Sequence, residues 1–163
     1  MDSLWMAVPL GVGATALVDL WAIARKRLFG IAPPDYGLVG RWIAHMPRGR
    51  FVHEAIATAP PVDRERLVGW VAHYLIGVSF AAILVGIAGT AWLARPTLGP
   101  ALLVGLGTVA APFLLMQPGM GAGIAASRTP RPGSARFQSL LTHAFFGVGL
   151  YLAARTLQYF HAP

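Results

Sequence analysis

The chain has 163 residues, of which 56% are hydrophobic and only 12% charged, and its mean hydropathy is +0.60. Soluble domains carry about 25% charged residues, so half that share, gathered between long uncharged runs, excludes an ordinary soluble protein and points to a bilayer as solvent. Thirteen Lys and Arg against six Asp and Glu give a formal charge of +7, but no basic face with interleaved aromatics accompanies it, so no nucleic acid is expected as a partner.

The N-terminal stretch lacks a basic leader, and its apolar run exceeds the ~7–15 residues of a signal-peptide core. It reads as a retained first span over residues 4–24, stopped by Arg25, Lys26 and Arg27. Three more runs reach the ~20 residues that a crossing needs: residues 67–94, residues 98–117 continuing as a broken segment to 127, and residues 139–160. Trp5, Trp92 and Tyr159 stand near span ends, where aromatic belts form. The expected fold is all-α, a polytopic four-transmembrane-helix bundle forming one transmembrane domain over residues 1–163.

Eight of the thirteen basic residues lie between Arg25 and Arg66, and Arg128, Arg131 and Arg136 lie between spans three and four. Only Arg95 and Arg155 fall on the other side. The positive-inside bias makes the loops 25–66 and 128–138 cytoplasmic and both termini external, in a bacterial inner membrane. With no cysteine, disulfides, thiolate metal sites and a lipoprotein anchor are excluded.

Within the first loop, Leu38, Val39, Trp42, Ile43 and Met46 recur at helical spacing and predict a short amphipathic helix at the interface, ended by Pro47. Residues 51–59 predict a second short helix, and Asp63 an N-cap for span two. His45 and His53 read as a solvated loop face, because their spacing matches no metal motif.

The third span breaks helix rules. Pro112 and Pro118 each remove a backbone donor and clash with the preceding turn. Gly119, Gly121 and Gly123 then strip side chains from the next stretch. Broken backbone survives in a membrane only where protein or trapped water satisfies it, so this segment is expected to face other helices and line a cavity. Gly119-x-x-x-Gly123 also permits close helix approach, within the monomer or in a homodimer.

A weak internal repeat runs through the spans. His73 and His143 each stand four residues before a glycine, Gly77 and Gly147, while Gly11-x-Gly13 and Gly105-x-Gly107 mark the other two spans. Two parallel-related helical hairpins produce such a pattern.

Three ionisable residues fall inside the spans. At about 1.5 Å per residue, Asp19 and His73 lie about 9 Å, and His143 about 6 Å, inside the cytoplasmic ends of their helices. Gln117 lies deeper on the broken span. Intramembrane ionisable groups are functional candidates, so Asp19, His73, Gln117 and His143 form the expected site in the cytoplasmic third. The competing expectation is that they only hydrogen-bond across helices.

Several ligands suit that set. His73, His143 and Asp19 can hold zinc or iron. Met116 and Met120, one turn apart, add thioethers suited to Cu(I), although methionine beside a proline kink also serves as filler. Two histidines on parallel helices can ligate haem, but the nearby carboxylate does not help, and haem ranks below a metal ion. A proton-coupled transporter for a small molecule or ion needs only titratable groups beside a broken helix. No nucleophile elbow, phosphate loop or paired catalytic carboxylates appear, so the balance leans away from an enzyme.

Asp19-Leu-Trp, Val39-Gly-Arg-Trp42, Pro47-Arg-Gly-Arg-Phe-Val-His53, His73-Tyr, the long run from Met116 to Pro130 and Leu141-Thr-His143 together resemble a family of small bacterial inner-membrane proteins catalogued as a domain of unknown function. The resemblance covers nearly the whole chain and implies four spans. It implies no activity. Three readings stay open: a transporter or metal-handling protein, a membrane enzyme or haem redox protein using the same residues, and a structural or partner-binding subunit.

Overall fold

The computed structural model describes residues 5–161. Met1 to Leu4, and with them the expected start of span one and the N-terminus, lie outside the described residues, as do Ala162 and Pro163. Four helices are long and apolar enough to cross a membrane, and no strand occurs among the described residues. We label them α1 (Ala7–Phe29), α3 (Glu65–Ala94), α4 (Leu98–Gly119) and α5 (Pro132–His161). A short helix, α2 (Tyr36–His45), precedes α3. The all-α, four-span reading is correct.

The chain divides into two compact units. The first, residues 1–33, 74–108 and 141–163, holds parts of all four long helices. Its core is apolar and built from small and branched residues: Leu10, Ala14 and Val18 of α1, Ala81, Leu84 and Val85 of α3, Ala101 of α4, and Phe146, Leu150 and Ala154 of α5. Glycine sets how closely these helices approach. A methyl at Gly11 would strike the backbone of Val78, and one at Gly77 would strike the Thr15 hydroxyl. A methyl at Gly105 would strike the backbone of Gly147 and the His143 carbonyl. Thus α1 crosses α3 at Gly11/Gly77, and α4 crosses α5 at Gly105/Gly147. Four glycines of the sequence repeat thus stand at the two crossings, whereas Gly13 lies against Ala153 and Gly107 has nothing within 4 Å. Backbones that touch this closely maximise van der Waals contact, the main attraction between helices where lipid is as apolar as leucine.

Two readings need correction in this unit. Arg25, taken from the sequence as the first loop residue, lies within α1 and is 5% exposed, because α1 continues to Phe29 before Gly30 closes it at φ 68°. Trp92, assigned to an aromatic belt, is buried in the core and donates its indole N–H to the Thr97 carbonyl at 3.1 Å.

The second unit comprises residues 34–73 and 109–140. Asp35 caps α2 by accepting from the Gly37 amide at 2.8 Å. The helix then packs on the start of α3 with almost no gap. A methyl at Gly40 would collide with the Glu65 carbonyl, and one at Gly69 with the Tyr36 carbonyl. The expected helix over 51–59 is absent. Only a 3-10 turn, Ile56–Thr58, forms there, because the amides of His53 and Ile56 bond instead to the carbonyls of Gly119 and Met120 at 2.9 and 3.1 Å. Asp63 does not cap α3. It is exposed, and Glu65 itself reaches back to accept from the Val62 amide at 2.9 Å.

The break in α4 is real. Pro112 opens a π-helical turn, Pro112–Met116, and the helix ends at Gly119. Positive φ at Gly121 (94°) and Gly123 (74°) then turns the chain away. Gly119 and Gly123 therefore share no helix face, and the expected GxxxG contact does not exist. Gly119 packs its bare backbone on the Trp42 indole. The segment 128–138, read as irregular loop, is helical from Pro132 onward.

Candidate functional site

In the first unit, Asp19 faces α3. Tyr74 donates its phenolic O–H to Asp19 Oδ2 at 2.9 Å. Two residues further along α1, Trp21 stacks on Phe145 of α5 with ring centroids 4.0 Å apart. His143 meets α4: its Nδ1 lies 2.9 Å from the Thr108 hydroxyl oxygen. Thr108 has one proton and gives it to the Gly105 carbonyl at 2.6 Å. A hydroxyl whose proton is committed can only accept here, so His143 Nδ1 carries the hydrogen of that contact. Its Nε2 is then the nitrogen that takes up or releases a proton. Phe80 lies beside the ring, at a centroid distance of 6.5 Å.

His73 and Gln117 belong to the second unit. His73 Nε2 lies 3.0 Å from the Tyr36 hydroxyl, and the two rings stack at 4.1 Å. Trp70 closes the cluster, with its ring 4.7 Å from that of Tyr36. Gln117 stands on the last turn of α4 and donates from Nε2 to Ser139 of α5 over a long 3.4 Å. Its amide oxygen is buried without a hydrogen-bond partner among the described residues. Each sequence-predicted residue therefore has a local polar neighbour. Three of them share one feature, a titratable side chain hydrogen-bonded to a neutral hydroxyl.

Among the described residues, no three His, Cys, Asp or Glu side chains gather closely enough to hold a metal ion. Haem ligation through His73 Nε2 would first have to displace the Tyr36 hydroxyl. Met116 and Met120 act here through their backbones: the Met120 amide closes the last turn on the Met116 carbonyl at 2.9 Å.

The sequence reading missed the polar centre of the second unit. His45 and His53, expected to be solvated, are 3% and 8% exposed. Their rings meet directly, His45 Nδ1 to His53 Nε2 at 2.9 Å, and His53 Nδ1 faces the Gly119 carbonyl at 3.4 Å. Beside them, Arg41 makes a bidentate pair with Glu65, Nε to Oε2 at 2.8 Å and Nη2 to Oε1 at 2.7 Å. Its Nη1 donates to the carbonyls of Ile56, Ala57 and Ala59 at 3.3, 3.3 and 3.1 Å. A fork of this kind matches a carboxylate in plane while its outer N–H groups gather loop carbonyls. The hydrogen bond to Glu65 raises the Arg41 pKa further above its ordinary value. The missed signal was a stripe on α2: Gly37, Gly40, Arg41 and His45 recur at helical spacing and form the face that packs.

One protein family, described as "Protein of unknown function (DUF2938)", matches residues 8–157. The chain belongs to the DUF2938 family. The matched range takes in Asp19, His45, His53, His73, Gln117 and His143 and nearly all of the four apolar helices of this DUF2938 member. No curated protein and no solved structure matches the chain.

Proposed function

We propose that this DUF2938 protein is a proton-coupled membrane transporter for a small solute or ion, with Asp19 and His143 of the first unit and His73 and Gln117 of the second as its polar residues. The observation that carries this reading is the pairing inside the spans. Asp19 is held by Tyr74, and His143 by Thr108. A titratable group in an apolar helix is costly, and a neutral hydroxyl that hydrogen-bonds to it does not neutralise it. The broken end of α4, with the unpartnered Gln117 oxygen, supplies the irregular backbone that transport sites use. The basic residues of the segments 30–64 and 120–131 support an orientation with both on the cytoplasmic side of a bacterial inner membrane.

The test is proton flux in liposomes of purified protein, read with an entrapped pH dye while candidate solutes are added outside. A solute-dependent pH change in the wild type, lost in Asp19→Asn and His143→Gln, supports the reading. If both variants transport like wild type and merely melt earlier, these residues serve packing alone and the proposed site is wrong.

A further inference from the structure

The buried histidine pair lies where three pieces of the second unit meet: the C-terminus of α2, the strap 51–56, and the turn that ends α4. The strap adds a short ladder to that turn through the His53 and Ile56 amides. Gly121 lies so close to the Glu54 carbonyl that no side chain would fit. The Trp42 indole donates to the Phe51 carbonyl at 2.8 Å and covers Gly119 from above. Both imidazoles are buried within this junction. Around them stand Arg48 and Arg50 just past α2, the exposed Glu54 on the strap, and the Arg41–Glu65 pair at the start of α3.

Proton counting defines what the pair can do. A carbonyl only accepts, so the Gly119 contact needs a hydrogen on His53 and the Pro60 contact one on His45. Two neutral rings carry two hydrogens between them, enough for the ring-to-ring bond and one carbonyl. One added proton supplies all three contacts. A second puts hydrogen on both facing nitrogens, His45 Nδ1 and His53 Nε2. Two N–H groups then point at each other between two buried positive charges.

We propose that His45 and His53 form a proton-operated latch that holds the strap 51–56 on the turn ending α4, closed while the two rings share a hydrogen bond and opened when both are charged. Burial, followed by the His53, Arg50 and Arg48 charges, keeps His45 below the ordinary imidazole range. The sign follows: a depressed folded-state pKa contributes stability that is full above about pH 6.5, the unfolded value, and is lost as pH falls through the folded value. The latch is closed at neutral pH and released by acid. It does not depend on the transport reading, because its ligand is the proton and its readout is local order at the end of α4.

Hydrogen exchange on the full chain in lipid nanodiscs, followed from pH 7.5 downward and corrected for intrinsic rates, tests it. In the wild type, protection of the His53 and Ile56 amides should fall by about tenfold per pH unit below the pair's pKa for each proton taken up. His45→Gln keeps a neutral donor and should flatten that dependence. Unchanged protection in the wild type overturns the latch, as does an equal fall in the variant. Should His45→Gln fail to fold, imidazole 15N shifts of the wild type decide. Two coupled proton uptakes, with hydrogen on both facing nitrogens only after the second, support the latch, and uptakes that do not influence each other overturn it.

Discussion

In the first unit, α1 meets α3 at Gly11 and Gly77, and α4 meets α5 at Gly105 and Gly147, with an apolar core around the crossings. In the second unit, α2 also meets α3 through glycines, Gly40 and Gly69, but the rest is held by a guanidinium fork, one stacked polar cluster and an imidazole pair. The contrast follows from the backbone. The first unit is mostly regular helix, broken inside α3 at Gly89 (φ 71°), so most of its amides and carbonyls satisfy one another. The second contains a π turn, three 3-10 turns and an unwound strap, whose free carbonyls require donors. Arg41 supplies three such donor contacts and Trp42 a fourth.

The largest expected effect tests whether both units depend on glycine contact. Gly40→Ala or Gly69→Ala puts a methyl into a carbonyl oxygen of the facing helix. Overpacking of this kind costs typically about 1–3 kcal/mol and occasionally more, so each variant should unfold at clearly lower temperature in detergent. Gly11→Ala and Gly105→Ala should follow closely. Gly86→Ala, where nothing lies within 4 Å, is the control and should melt like wild type. If all five melt together, close approach does not hold either unit.

The next effect separates the units. Arg41→Lys keeps the charge but loses the bidentate fork and most carbonyl contacts. Limited proteolysis should cut the segment 46–64 faster, while the four-helix unit stays protected. Glu65→Gln should do the same more mildly, since an amide still accepts from Arg41 and Val62. Uniform loss of protection over the whole chain would mean that the two units do not unfold separately.

Smaller still is the intramembrane pair. Tyr74→Phe removes the donor to Asp19 and, at about 1 kcal/mol for a net hydrogen bond, should lower the melting temperature only slightly. Its proton flux should change more than its stability. If stability falls and flux does not, the pair belongs to packing.

Much of this was legible in the sequence because apolar length and helix-breaking residues act locally. Four long apolar runs cannot avoid being helices in lipid, and Pro112, Pro118 and the glycines after them cannot continue one. The contact glycines were legible too, as a repeat, since helix crossings select small residues at fixed spacing. What the sequence misplaced was everything that depends on who stands opposite. His45 and His53 look like solvated loop residues until Gly119 and each other are brought to them. The strap 51–56 looks helical until the end of α4 offers it carbonyls. Asp19, His73 and His143 announce themselves by charge in apolar runs, yet Tyr74, Tyr36 and Thr108, the hydroxyls that define their chemistry, carry no local signal. Hydrophobic length is a property of one segment, whereas the partner of a buried polar group is a property of two. Only the tertiary structure joins them.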